Sequence, residues 1–141
     1  MPYLKMLGDN DMIALDTNIL VRYIVQDHKV QAEKATQVIE KLTASTPAFI
    51  SCIVLCELNW VLKTAYKTPK EKRLKTLQGL LSVAVFDIER LDACLKALRQ
   101  YKAGQADFSD YLIQQIVLHK GYDTVLTFDK KALKTSGFES P

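Results

Sequence analysis

The feature that most constrains the fold is a regular alternation between short apolar runs and longer segments with helical spacing. Residues 12–15, 48–50, 83–86 and 124–127 are short runs rich in Ile, Val, Leu or Phe, which predict strands. Each run is separated from the next by enough residues for at least one helix. Strands separated in this way pair in parallel through crossover connections. The alternation therefore predicts an α/β fold with a parallel sheet and helices on both faces.

Residues that favour helix ends bound the segments between the strands. Thr17 or Asn18 and Ser51 are suited to N-caps, and Pro69 is suited to a first helical turn. Gly121 is typical of a helix C-terminus. The predicted helices cover residues 17–25, 30–42, 51–66, 70–82, 89–101, 108–119 and 130–134.

Length, charge and targeting signals fit one ordinary domain inside the cell. The chain has 141 residues, of which 48% are apolar, so it can bury a core of its own. Its net charge of +3 is too small to indicate a nucleic-acid binder by itself. No apolar run reaches the roughly 18 residues of a membrane span, and the N-terminus lacks the pattern of a secretory signal. We therefore expect a cytoplasmic protein with no membrane partner.

The cysteines predict neither a disulfide framework nor a zinc site. Cys52, Cys56 and Cys94 are an odd number, and no two of them form a CxxC pair. We expect buried free thiols.

Acidic residues recur where the predicted strands end or the predicted helices begin. Asp16 follows the first strand, Asp129 follows the last, and Glu57 lies about two turns into the helix after the second. Asp107 and Asp110 are three residues apart, so they face the same side of a helix. Because parallel α/β sheets bind ligands beyond the carboxyl ends of their strands, we expect all five acids to share one edge.

A simpler alternative applies to most of these acids. Asp16, Asp129 and the pair Asp107 and Asp110 are all suited to capping helices, where acidic side chains are favourable. Glu57 fits that alternative poorly, because it is the only formally charged residue in 47–62. A lone carboxylate in apolar surroundings is rarely buried unless it is paired or bound to a metal.

Clustered carboxylates indicate a site for a hard divalent cation. Like charges a few ångströms apart raise one another's pKa, and a bound cation relieves that repulsion. Oxygen ligands without His or Cys favour Mg2+ or Mn2+ over zinc. Such ions activate water and stabilise a phosphate under attack. Phosphodiester hydrolysis is therefore the leading hypothesis.

The order and spacing of these motifs resemble those of PIN-domain ribonucleases, specifically the VapC-like toxins of type II toxin-antitoxin systems. The resemblance covers residues 12 to about 138 and implies a three-layer α/β/α PIN-like domain with a central, mainly parallel, twisted sheet of four to five strands. Residues 1–11 precede the usual start of the family pattern and are expected to form an N-terminal extension to a single PIN domain at 12–141. The motifs are Ala-Leu-Asp-Thr-Asn-Ile-Leu at 14–20, Glu57, Asp-Phe-Ser-Asp-Tyr-Leu-Ile at 107–113, and Leu-Thr-Phe-Asp-Lys at 126–130.

The resemblance also implies roles for individual residues. Asp16 and Asp110 would be direct ligands of Mg2+ or Mn2+, and Glu57 would bind the ion or orient its water. Asp129 would complete a second metal position or act through water, and Asp107 would support the catalytic set. Hydrogen bonds from three further residues would hold the carboxylates in place. These are Thr17, Asn18 and Thr127.

The partners implied by the resemblance are an RNA substrate, a second copy in a homodimer, and a cognate antitoxin. The antitoxin would lie across an apolar groove, for which the candidate residues are Trp60, Val61, Tyr66 and Leu77, unless these are ordinary core residues. The basic residues between Lys63 and Lys75 would either steer the RNA backbone or form a solvated helix face.

Three alternative functions remain open from the sequence. A PIN-like domain that binds RNA or acts as a scaffold without cleaving it would keep the same fold. An aspartyl phosphotransferase resembling haloacid dehalogenases would need a second aspartate where Asn18 stands. A receiver domain would carry its phosphoacceptor after a central strand, rather than an acid such as Glu57 on a helix.

Overall fold

A computed structural model describes residues 12–141, so the N-terminal extension expected at residues 1–11 lies outside the described residues. Strands and helices alternate along most of the chain, as the sequence pattern predicts. The strands are β1 (Ile13–Ala14), β2 (Ala48–Ile50), β3 (Phe86–Ile88), β4 (Val125–Leu126) and β5 (Phe138–Glu139). The helices are α1 (Thr17–Val25), α2 (Lys29–Glu40), α3 (Cys52–Thr64), α4 (Lys70–Ser82), α5 (Leu91–Ala103), α6 (Phe108–His119) and a 3-10 turn at Ala132–Lys134.

The strands form two parallel sheets. The first has the order β1-β2-β3, with Ala48 paired to Ile13 on one side and to Phe86 on the other. The second pairs β4 with β5, so that Val125 lies opposite Phe138. The predicted three-layer α/β/α architecture with parallel strands is confirmed.

The predicted central sheet of four to five strands differs in detail, because three strands form the first sheet and two form the second. The backbone amide of Val125 donates to Gly137 at 2.8 Å, and that of Thr127 donates to Glu139 at 3.0 Å. The amides of this short strand are thus used by β5. No strand was predicted at residues 138–139, where a single aromatic residue stands among small and polar ones.

The boundaries of most helices follow the local signals. The hydroxyl of Ser51 accepts a hydrogen bond from the Val54 amide, as expected of an N-cap, and Gly121 follows α6 with φ of +92°. The strand predicted at residues 83–86 was wrong, because Phe86 donates to the carbonyl of Val83 in a turn and the strand begins only at Phe86. The next helix begins at Leu91, two residues later than predicted.

The apolar core lies between the first sheet and the helices that connect its strands. α1 packs against α2 and α3, α4 packs against α3 and α5, and α5 packs extensively against α6. Burying one large apolar side chain contributes about 1.5–3 kcal/mol, so these contacts hold the layers together. The largest fully buried side chains are Leu20, Ile50, Leu55, Leu58, Leu77, Cys94 and Phe108.

One buried charged residue joins three helices. Arg73 on α4 is only 5% exposed, and its guanidinium donates to the Thr68 carbonyl at 3.0 Å. It also donates to Asn59 Oδ1 on α3 at 3.0 Å and to the hydroxyl of Tyr101 on α5. All three acceptors are neutral oxygen atoms. We call Asn59, Arg73 and Tyr101 the buried arginine cluster.

Candidate active site

Asp16 caps α1 immediately after β1. Its backbone is extended, with φ of −80° and ψ of 163°, and its Oδ1 accepts a hydrogen bond from the Thr17 amide at 2.6 Å. The cap is therefore Asp16, as the capping alternative predicts, and not Thr17 or Asn18. Capping uses one carboxylate oxygen, and a carboxylate offers about four acceptor positions, so the same side chain is able to bind a cation.

A buried threonine connects Asp16 to Glu57. Thr17 Oγ1 donates to Glu57 Oε2 at 3.1 Å, which fixes the start of α1 against α3. Glu57 is exposed, although its neighbours in sequence are apolar. The reason is helical geometry, because Leu55 and Leu58 face the core while Ile53 and Glu57 lie on the opposite side.

Asp107 and Asp110 form a capping box at the start of α6. The Asp107 amide donates to Asp110 Oδ2 at 3.1 Å, and the Asp107 carboxylate accepts from the backbone of the third helical residue. Burial raises the pKa of the Asp110 carboxyl, and the hydrogen bond from the Asp107 amide partly offsets that effect. The negative charges of Asp129 and Asp107 raise this pKa further, so these three carboxylates are close enough to repel one another.

Asp129 follows β4, and its carboxylate accepts hydrogen bonds from the backbone just after it. Its Oδ1 accepts hydrogen bonds from the amides of Lys131 and Ala132, both at 2.9 Å. Thr127 Oγ1 accepts from the Asp129 amide at 3.0 Å, so it positions the backbone rather than the carboxylate. Asn18 is exposed, and none of the side-chain hydrogen bonds found in residues 12–141 involves it.

These contacts divide the acids into two groups, one made by Asp16 and Glu57 and the other by Asp107, Asp110 and Asp129, and we call the five residues together the acidic edge. The pKa of Cys56 is affected by one acid of each group. Burial raises the pKa of Cys56 to about 11, and the charges of Asp110 and Glu57 contribute to the increase. Cys56 is on α3, directly before Glu57.

The five acids are not arranged around a single point. Among the residues that the structure describes, no three His, Cys, Asp or Glu side chains are close enough to hold a metal ion. Four of the five carboxylates, those of Asp16, Asp107, Asp110 and Asp129, accept hydrogen bonds from nearby amides, as the capping alternative predicts. The donor chemistry nevertheless fits a hard divalent cation, since all five groups offer carboxylate oxygens. Repulsion at Asp110 is the interaction that such a cation would relieve.

The basic residues near α4 do not form one exposed face. Lys63 Nζ lies 3.4 Å from Asp107 Oδ1, at the acidic edge itself. Lys70 and Arg73 make internal contacts, whereas Lys67 and Lys72 are exposed. Each of the two sequence interpretations, RNA steering and a solvated face, therefore applies to only part of this stretch.

Lys70 and Tyr111 hold the turn that leads into the Asp107 motif. Lys70 Nζ donates to the Gly104 carbonyl at 2.8 Å and lies 4.5 Å above the Tyr101 ring. The Tyr111 hydroxyl accepts from the Ala106 amide at 3.3 Å, and a Cβ at Gly104 would collide with it. Sequence reasoning missed these residues, since their roles depend on contacts between separate helices.

The four residues proposed for an apolar groove do not share one surface. Leu77 is 1% exposed and belongs to the core, whereas Trp60 is 65% exposed. Val61 and Tyr66 are half-buried, and the Tyr66 hydroxyl donates to Asp27 Oδ2 at 3.0 Å. The groove interpretation is therefore wrong for Leu77.

The cysteines are free, as predicted. Cys52 and Cys94 are buried with their sulfur atoms 3.9 Å apart, and burial raises the pKa of both thiols. Cys56 is half-buried.

The family comparison agrees with this arrangement. The profile of the PIN domain matches residues 13–137, so the chain belongs to the PIN domain family. Proteins of this family are generally nucleases that depend on divalent metal ions. Among curated protein sequences, none matches this chain significantly. In residues 12–141, no helix is both long enough and apolar enough to cross a membrane.

Proposed function

We propose that this protein is an endoribonuclease that cleaves RNA phosphodiester bonds with Mg2+ or Mn2+. The observation that carries the proposal is the match to the PIN domain family, whose members are generally nucleases. The Thr17 hydrogen bond to Glu57 and the repulsion of Asp110 by Asp129 support it within the two groups of acids.

In this proposal Asp16 and Asp110 bind the cation, while Glu57 binds it or orients the attacking water. Asp129 and Asp107 complete the acidic set. When bound, a divalent cation supplies an activated water and stabilises negative charge on the phosphate. Thr17 keeps Glu57 beside Asp16, and the capping box fixes Asp110 on the first turn of α6.

The biological role proposed is that of a VapC-like toxin in the cytoplasm, formed by one PIN domain at residues 12–141 with an extension at 1–11. A homodimer and an antitoxin that blocks the acidic edge belong to the same proposal. The order of the motifs in the chain supports it, together with exposed apolar side chains such as Ile53 and Ile113 on the helices that carry Glu57 and Asp110.

A second candidate is a PIN domain that binds RNA or acts as a scaffold without cleaving it. The separation of the acids favours it, because no three of the described side chains are arranged around one ion. The phosphotransferase and receiver interpretations are set aside, since the chain belongs to the PIN domain family.

The test compares RNA cleavage by the native protein and by Asp16→Asn in Mg2+ and in Mn2+, after any bound partner has been removed. Asparagine is as good an N-cap as aspartate, so the variant should keep the start of α1 while losing a charged ligand. We expect cleavage by the native protein, its loss in chelator, and a decrease of roughly 100-fold or more in Asp16→Asn.

Asp123→Asn is the matched control, because Asp123 is an exposed acid beyond the C-terminal end of α6. It should cleave like the native protein. Equal cleavage by the native protein and Asp16→Asn would overturn the proposed site. RNA binding by the native protein without cleavage in either ion would support the second candidate.

A further inference from the structure

Trp60 is unusual for its exposure. It is the only tryptophan of the chain, and it is 65% exposed on α3. A tryptophan side chain is mostly buried on average, because its large ring gains much from leaving water. Packing in the apolar core therefore does not explain why a tryptophan occupies this position.

The position of Trp60 relates it to the acidic edge. It follows Glu57 by three residues and precedes Lys63 by three, so the three side chains lie along one side of the helix. Glu57 contacts Thr17 at 3.1 Å and Lys63 contacts Asp107 at 3.4 Å, which fixes both ends of this strip against acidic motifs. The strip covers roughly 9 Å along the helix axis, at about 1.5 Å per residue.

The side chains on either side of Trp60 favour a nucleic acid over a protein as the occupant. Both neighbours along the strip, Glu57 and Lys63, are charged and exposed. The centres of protein–protein interfaces are depleted in charged residues. Single-stranded nucleic acids, in contrast, bind where aromatic rings alternate with basic side chains, the rings stacking on bases and the cations contacting phosphates.

We propose that Trp60 stacks on an unpaired base of the RNA next to the cleaved bond and that Lys63 binds a neighbouring phosphate. This inference rests on the proposed ribonuclease function and adds two residues that would position the RNA beside the acidic edge. A base in a duplex cannot offer its face to Trp60, because both faces are already stacked.

The energies favour an exchange of contacts at Lys63. Its ion pair with Asp107 is about half exposed on both sides, and such pairs are weak because water screens them. Stacking of one base on an aromatic ring strengthens binding by about 5- to 150-fold. Lys63 can therefore leave Asp107 for a phosphate at a cost smaller than the gain from Trp60.

The experiment uses Asp16→Asn protein, which should bind RNA without cutting it, and a short RNA oligonucleotide with or without its complementary strand. Because Trp60 is the only tryptophan, its fluorescence reports stacking directly. We expect quenching by the single strand and little change with the duplex. In the same background, Trp60→Ala should weaken binding of the single strand by about 5- to 150-fold.

Three further variants separate stacking from other roles. Trp60→Phe should keep most of the affinity, whereas Trp60→Leu, which is apolar without an aromatic face, should lose it. Tyr122→Ala is the matched control, since Tyr122 is 69% exposed but lies beyond the C-terminal end of α6, whereas Asp110 lies in its first turn. Its affinity should match that of the parent protein.

The outcomes distinguish this inference from the proposed function. Unchanged RNA affinity and unchanged cleavage in Trp60→Ala, with cleavage still lost in Asp16→Asn, would overturn stacking and leave the ribonuclease intact. Quenching by RNA that the native protein does not cleave would support stacking and overturn the proposed function. Full affinity in Trp60→Leu, with dissociation of a dimer in Trp60→Ala on size-exclusion chromatography, would assign the ring to a protein interface and overturn stacking.

Discussion

The acidic edge and the buried arginine cluster differ in how their charges are compensated. At the edge, several carboxylates lie near one another, and the pKa of Asp110 is raised by burial and by Asp129. In the cluster, a single guanidinium is enclosed by neutral oxygens that satisfy it. The first arrangement costs stability and the second joins three helices. The contrast shows that the charge of Asp110 is opposed by its neighbours, whereas the charge of Arg73 is satisfied by them.

The largest expected effect on stability lies in the buried arginine cluster. Arg73→Met leaves Asn59 Oδ1 and the Thr68 carbonyl without the donors they have in Arg73, and leaves the Tyr101 hydroxyl only the Asn59 amide at 3.4 Å; an unsatisfied buried group costs about 1–3 kcal/mol. We expect a loss of about 3 kcal/mol in the free energy of unfolding, measured by urea denaturation.

Lys72→Met is the control for Arg73, because Lys72 is exposed on the same helix. It should change the free energy of unfolding by less than about 0.5 kcal/mol. If Arg73→Met does not fold, Tyr101→Phe provides a milder test, with an expected loss of about 1 kcal/mol. Equal stability of Arg73→Met and Lys72→Met would remove the contrast between the two regions.

The second prediction concerns the acidic edge with metal. A divalent cation that binds the folded state alone stabilises it by about 2.7 kcal/mol at a free concentration one hundred times its Kd. We expect Mn2+ to raise the melting temperature of the native protein and of Asp123→Asn, but to have little effect on Asp110→Asn. The measurement is thermal unfolding with Mn2+ or with chelator. An equal increase in all three proteins would assign the cation to another place.

The third prediction has the smallest expected effect and concerns how the acidic edge changes the free energy of unfolding when no metal is present. The folded-state pKa of Asp110 is raised above its ordinary value of 3.8. The folded protein therefore binds more protons than the unfolded chain between that value and the raised pKa, so stability falls as the pH rises through this window. Asp110→Asn removes the penalty and keeps an oxygen that can accept from the Asp107 amide.

In chelator at neutral pH, Asp110→Asn should be more stable than the native protein by less than about 1 kcal/mol, since the group is partly exposed. The difference should disappear below pH 3.8, where both folded and unfolded native protein carry a protonated Asp110. Urea denaturation at several pH values measures it. A variant less stable than the native protein at neutral pH would show that the Asp110 charge contributes to stability.

Local signals in the sequence predicted much of the fold. α3 begins after the capping residue Ser51, α4 begins after Pro69, α6 ends shortly before Gly121, and β2 has its predicted range. These signals work because a cap or a turn involves neighbours in the chain. The strand at residues 138–139 carries no such signal, since pairing with β4 creates it. The position of β3 was wrong because the turn from Val83 to Phe86 competes with an equally apolar strand.

At the candidate site, too, local features were predictable and contacts between separate elements were not. Asp16 follows β1 and Asp129 follows β4 as predicted, but these strands belong to different sheets, so the common edge expected for all five acids stays a prediction. The internal contacts of Lys70 and Arg73 were not predictable, because a lysine or an arginine on a helix is normally solvated and only packing against α3 and α5 encloses these two. The exposure of Glu57 was equally unpredictable, because it depends on which side of α3 packs against the core.

The chemistry of the three cysteines makes the protein convenient for site-directed spectroscopy. Thiolates, not thiols, add to maleimide reagents, and burial keeps Cys52 and Cys94 protonated while the pKa of Cys56 is raised to about 11. A cysteine introduced at an exposed position, as in Tyr122→Cys, will therefore carry a fluorophore or spin label selectively in the otherwise native chain. The separation between such a label and a tagged RNA end can then be followed in solution without first removing the natural sulfhydryls.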